Sequence, residues 1–191
     1  MTDCAELELI NQFYPSAESA RILQYFLRQH DWPDNCYHFA GRQFVLPRLQ
    51  TWHADAGIRY SYSNNLLETR PWTEMLSQIR IKVESLLDYS FNSVLVNCYR
   101  NGDDHVGWHA DNERELGENP FIASVSFGAE RAFAFKHKRS SEQGRILLGS
   151  GCLLIMRPAF QTHWLHSVPE DKTSRQARIN LTFRRVNGLQ I

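Results

Sequence analysis

Ser93–Gly128 reads SVLVNCYRNGDDHVGWHADNERELGENPFIASVSFG. It opens and closes on apolar β-type runs, "SVLVNCY" and "FIASVSFG", and the "NGDD" behind the first carries residues that favour turns. Between them stands His109-Ala110-Asp111. In an extended chain residues i and i+2 point to the same face, with Cα atoms roughly 6.5 Å apart, so two such side chains can converge on one ion. An isolated His-x-Asp is equally an ordinary surface or core pair, and the rest of the chain has to decide.

Working outward, β-type runs continue to the C-terminus: "RAFAFKHK", "RILLGS", "GCLLIM" and "ARINLTFRRV". Two segments before residue 90 have helical spacing instead. After Pro15-Ser16, Ile22, Leu23, Phe26 and Leu27 share a face, with Ser16 as cap; from Thr73, Met75, Leu76, Ile79, Val83, Leu86 and Leu87 do the same. Between residues 36 and 70 the clearest strand is "RYSYSN". Helices first and many strands after them predict an α+β domain whose second half is a β-sandwich or barrel.

The 191 residues suffice for one substantial core, and 42% hydrophobic with 22% charged residues fits a globular chain. The net charge is zero, but residues 1–35 carry six acids against Arg21 and Arg28, leaving a mild basic bias compatible with a polyanion partner. Cys4, Cys36, Cys98 and Cys152 form no C-x-x-C pair, which argues against a disulfide framework or zinc knuckle and for a reducing compartment. With no basic n-region and no apolar run near ~20 residues, the expectation is a cytoplasmic chain without a membrane span.

"RINLTFR" alternates: Ile179, Leu181 and Phe183 on one face, Arg178, Asn180, Thr182 and Arg184 on the other. A solvated outer face would explain the polar set. A sharper reading is that the two arginines, roughly 20 Å apart along the strand, hold the ends of a short dianion, since the guanidinium fork pairs bidentately with carboxylate. Asn97 and Tyr99 in "NCYR" share a face in the same way, and "HWLHSVP" offers His163 and His166 as a third metal ligand without choosing between them. Two imidazoles and one carboxylate make the facial set of non-haem Fe(II) oxygen chemistry.

From Phe39 to Val186 the chain resembles the AlkB family of Fe(II)/2-oxoglutarate-dependent nucleic-acid dealkylases, through "DAGIRYSYS", "VNCYRNGDDHVGWHAD", "ERELGENPFIASVSFGAERAFAFKHK", "THWLHSVP" and "ARINLTFRRV". The resemblance implies a double-stranded β-helix (jelly roll) buttressed by the N-terminal helices. It implies a single domain, with residues 1–90 as helical and nucleotide-recognition part and 91–186 as catalytic core. By position, His109, Asp111 and His166 would be the iron ligands, leaving His163 a structural or supporting role. Asn97, Tyr99, Arg178, Asn180, Thr182 and Arg184 would line the 2-oxoglutarate site, with Arg178 on the distal carboxylate and Arg184 nearer the iron. The implied reaction is an oxidative demethylation of N-alkylated bases consuming 2-oxoglutarate and O2 and releasing formaldehyde, succinate and CO2.

The implied substrate is alkylated DNA, with RNA or tRNA as an alternative and a non-catalytic nucleic-acid-binding module of the same fold as a rival from another class. A base must leave the stack to reach a buried metal. Tyr60 and Tyr62 could stack on it or bind flanking phosphates, Glu113 could attract a cationic methylated base, and Arg42 and Arg48 could contact phosphates or the vacated gap. Two positions depart from duplex-active relatives: Asn112 stands where an acid follows the metal aspartate, and Ala40 where a bulky aromatic pries the duplex apart. Repair of single strands at least as good as of duplex is therefore expected, from a monomer in the cytoplasm, or the nucleus of a eukaryote. The "KHKR" run, Lys136–Arg139, reads as a phosphate contact or a solvated hairpin turn.

Overall fold

Alternation of side chains along the strands builds the architecture, and it does so on both faces of one sheet. The computed structural model describes residues 4–34, 36–39, 42–58, 61–62, 65–66 and 68–187. The first half runs β1 (Leu7–Ile10), α1 (Ser16–Arg28), the paired β2 (Cys36–Phe39) and β3 (Arg42–Val45), and β4 (Leu49–Ala54). The short β5 (Ser61–Tyr62), β6 (Asn65–Leu66) and β7 (Thr69–Arg70) lead into α2 (Glu74–Leu87). The second half holds β8 (Ser93–Tyr99), β9 (Val106–His109), β10 (Ile122–Gly128), β11 (Arg131–His137) and β12 (Gln143–Leu148). It closes with β13 (Leu153–Met156), α3 (Pro158–His163), β14 (Trp164–Val168) and β15 (Arg178–Arg184).

A seven-stranded sheet, ordered β1-β13-β10-β15-β8-β4-β7, faces a four-stranded sheet ordered β12-β11-β14-β9. This is the double-stranded β-helix. Every pairing in the two sheets is antiparallel except β4 with β7. Three strands from before residue 90 belong to the large sheet, so that position does not separate the two halves as layers.

Ile179, Leu181 and Phe183 of β15, Val94, Val96 and Cys98 of β8, and Val125 and Phe127 of β10 pack into one core with Ile22 and Phe26 of α1 and Leu76, Ile79 and Val83 of α2. Burying each large apolar side chain contributes about 1.5–3 kcal/mol, so this face holds both helices on the sheet. The intervening residues point between the sheets. All seven residues of β15 are buried, which removes the solvated-face reading of its polar set.

The helices depart from the sequence expectations in detail. Pro15, with no side-chain cap bond, is the N-cap of α1, and Ser16, expected as the cap, is the first helical residue; α2 is capped by Thr73, which accepts Leu76 N–H. Leu27 and Leu86 lie exposed at the edges of their helices' apolar faces. In "RYSYSN", Arg59, Tyr60, Ser63 and Asn64 fall outside the described residues and Ser61–Tyr62 pair as a strand, while the longer described strand of this region is β4. Its sequence, LQTWHA, hides because Thr51 and His53 are polar yet buried. Their polar atoms find one another: His30 Nε2 lies 2.8 Å from Thr51 Oγ1, His53 Nε2 lies 3.2 Å from the same hydroxyl, and His53 Nδ1 lies 2.7 Å from the Pro71 carbonyl.

Candidate active site

Pairing between β9 and β14 sets His109 directly opposite His166, with ring centroids 4.2 Å apart. Asp111, two residues beyond His109, turns its carboxylate into the same space, with Oδ1 3.6 Å from His109 Nε2. One ligand atom from each of the three lies within 4.8 Å of the others, and among the described residues these form the group that could hold a metal ion. His163, the last residue of α3, points outward near Glu6 with its side chain 52% exposed. Of the two histidines that spacing left open, His166 lies in β14 within reach of His109 and Asp111, whereas His163 precedes the strand.

The donor set fits a divalent metal. His109 Nδ1 lies 2.8 Å from the Gly107 carbonyl, and donating there leaves Nε2 as a lone pair. Asp111 Oδ1 and His166 Nδ1 are buried without a hydrogen-bond partner among the described residues. Burial alone would raise the Asp111 carboxyl, but the charge and hydrogen bonds of Arg184 overcome it and hold it low, at about 2. Burial, with His109 adding to it, pushes His166 down to about 3, keeping it a neutral imidazole. A carboxylate and neutral nitrogens are what Fe(II) takes.

The inner row of β15 continues the cavity. Arg184 donates to Asp111 Oδ2 from Nη2 at 2.6 Å and from Nε at 3.2 Å. Thr182 donates to Asn180 Oδ1, and Asn180 in turn donates to Ser124 Oγ at 2.7 Å. Arg178, 1% exposed, lies with its guanidinium carbon 5.1 Å from the Tyr99 ring centroid and spends Nη2 on Ser126 Oγ. Among the described residues its Nε and Nη1 have no hydrogen-bond partner and no carboxylate lies beside it, and burial presses the group below its ordinary value. A buried cation with open donors fits an incoming carboxylate.

The base-side residues are more dispersed. Arg42 is exposed at the start of β3. Arg48 lies elsewhere than at a phosphate-contacting surface: it is 4% exposed, donates from Nε to Asn97 Oδ1 at 3.0 Å and from Nη1 to the His105 carbonyl, and lines the cavity beside Asn97. Glu113 is half-buried at the head of the short 3-10 turn Arg114–Leu116. Tyr60 and Ala40 lie outside the described residues, as does the side chain of Tyr62. The basic run splits up. Lys136 lies 4.5 Å from the ring centroid of exposed Trp108, His137 accepts the main-chain N–H groups of Arg139 and Ser140, and Lys138 donates to the Gln161 carbonyl.

Two contributors were missed in the sequence, Gln161 and Arg131, while Arg48 was singled out there for a different role. Arg131 is buried and donates to the carbonyls of Asn101, Asp104 and Pro169, pinning the loop between β8 and β9. Its position was legible, since it shares the inward face of β11 with Phe133 and Phe135. Gly102 in that loop is obligatory for another reason, because a Cβ there would run into the Asp171 carbonyl.

Residues 6–184 match the model of the 2OG-Fe(II) oxygenase superfamily. DNA oxidative demethylase ALKBH2 of Mus musculus is 44% identical over 154 residues, 76% of this chain and 64% of the relative. Alpha-ketoglutarate-dependent dioxygenase alkB homolog 3 of Bos taurus is 43% identical over 153 residues, 75% of this chain and 53% of the relative. The ALKBH2 of Arabidopsis thaliana is 34% identical over 209 aligned residues, 95% of this chain and 67% of the relative. The chain thus spans under two thirds of the length of the mouse and bovine relatives. The solved structure of OsALKBH1 superposes with a TM-score of 0.65 at 17% identity over 97% of this chain and 99% of that one, a likeness of fold. The fold, the His-Asp-His cluster and these matches together place the chain in the 2OG-Fe(II) oxygenase superfamily, as a member of its AlkB family.

Proposed function

We propose that the chain is an oxidative demethylase of N-alkylated bases, of the 1-methyladenine and 3-methylcytosine type, in DNA. The observation that carries this reading is the junction of two incomplete sets in one cavity. The His109, Asp111 and His166 cluster stands at one end and the Arg178 guanidinium, with Nε and Nη1 unpartnered among the described residues, at the other. An Fe(II) ion fits the first and a dicarboxylate the second. When bound, iron with 2-oxoglutarate and O2 supplies the oxidising power for hydroxylating the alkyl carbon, and formaldehyde, succinate and CO2 leave.

The protein's share is binding and orientation. Arg178 would take the distal carboxylate, with Tyr99, Asn180 and Thr182 along its flank and Asn97 held by Arg48. Arg184 keeps Asp111 ionised and turned toward its partners. On the substrate side Tyr60, Tyr62, Glu113 and Arg42 would receive the extruded base and its flanking phosphates, the half-buried Glu113 favouring a cationic ring. A chain acting on DNA is assigned to the cytoplasm or nucleus, and among the described residues no helix is long and apolar enough to cross a membrane.

The test is formation of succinate and formaldehyde on mixing the chain with Fe(II), 2-oxoglutarate and matched oligonucleotides carrying one lesion, as single- and double-stranded DNA and as RNA, at fixed salt. Turnover on DNA lesions is expected, on single strands at least as fast as on duplex because Ala40 offers no wedge for the vacated stack. Ala40→Phe is expected to raise duplex activity selectively. Turnover on the RNA arm alone would replace DNA as the substrate, and succinate in none would leave a binding module.

A further inference from the structure

Gln161 lies in α3, five residues before His166, and is 1% exposed. Its Oε1 accepts the main-chain N–H of Asp111 at 2.9 Å, across fifty residues of sequence. Its Nε2 points to Met156 Sδ at 3.4 Å, and its own carbonyl accepts from Lys138 Nζ at 2.7 Å. The amide is therefore oriented by Asp111, since a thioether is only a weak acceptor and could not by itself fix which end points where.

Two separate groups hold Asp111. Arg184 takes Oδ2 from the β15 side, and Gln161 takes the main-chain N–H from the opposite element. With both in place Oδ1 remains directed at His109 and His166. We propose that Gln161 is a positioning residue for the metal centre: it fixes the main chain of Asp111 and ties it to the helix that leads into the strand carrying His166. The inference rests on reading His109, Asp111 and His166 as the metal ligands. Partners of this kind change metal affinity by roughly 10–100-fold when removed.

Gln161→Met keeps the volume and removes the acceptor, whereas Gln161→Glu keeps an acceptor in place. Mn(II) titration of the full chain, read by the paramagnetic resonance of the free ion, separates positioning from packing, with thermal melting run on every variant. Mn(II) affinity is expected to fall roughly tenfold or more in Gln161→Met and to stay within a few-fold of the parent in Gln161→Glu. Gln161→Asn, too short to reach the Asp111 N–H, decides the same point where the Met variant does not melt cooperatively. Parent-like affinity in Gln161→Met, or equal loss in the Met and Glu variants, would overturn the inference. Asp111→Ala is the control: if it binds Mn(II) as well as the parent does, the ligand reading itself fails, and Gln161 with it.

Discussion

Arg184 Nη2 meets Asp111 Oδ2 at 2.6 Å, with the two side chains 3% and 1% exposed. Such a pair holds position more than it adds stability, but removing one partner strands the other's charge. Arg184→Met is expected to destabilise the metal-free chain by about 3–5 kcal/mol, the range for breaking a buried pair. Mn(II) should recover part of that by neutralising Asp111. Chemical denaturation with and without the ion checks both, and a melt unchanged by the substitution would contradict the burial of the pair.

The two histidines of "HWLH" should separate cleanly. His166→Ala, like His109→Ala and Asp111→Ala, is expected to abolish turnover with the fold retained, because three ligands are the minimum for the facial site. His163→Ala, whose side chain lies half in solvent near Glu6, should keep near-parental turnover. Loss of metal binding in His163→Ala together with its survival in His166→Ala would reverse the assignment.

Arg178→Ala would leave the distal carboxylate of the co-substrate without its charged partner in a confined site, where truncation of a buried pair costs several kcal/mol. A rise of roughly a hundredfold in the 2-oxoglutarate requirement is expected, consistent with about 1.4 kcal/mol per tenfold. The measurement is succinate formation against 2-oxoglutarate concentration, and an unchanged requirement would mean that the open donors of Arg178 serve something else.

Stability should depend on His30. Burial first, then His53 and Arg70, lower it from 6.5 to about 4, so the folded chain keeps it neutral while the unfolded chain protonates first. Its contribution is fully present above pH 6.5 and declines as the pH falls toward 4. The denaturation midpoint should drop between pH 7 and pH 5, and drop less in His30→Asn. An equal drop in both would place the titration elsewhere.

Much was fixed locally. The alternation in "RINLTFR" and "SVLVNCY" separated the core face from the polar face, the Thr73 cap started α2, and His-x-Asp put two donors on one side of an extended chain. Those are properties of neighbours along the backbone, and period-two and period-3.6 geometry carries them without any tertiary partner.

Tertiary packing decided the rest. Alternation cannot say whether a polar face meets water or a second sheet, so the burial of Arg178, Asn180, Thr182 and Arg184 appeared only when the four-stranded sheet closed over them. β4 was unreadable because the groups that satisfy Thr51 and His53 come from His30 and Pro71, distant in sequence. That His166 and not His163 stands opposite His109 follows from strand pairing, and the link from Gln161 to Asp111 spans two elements. A sequence determines which groups a chain can offer, but whether a buried donor has a partner depends on contacts that loop closure makes across the whole fold, and only the folded structure contains them.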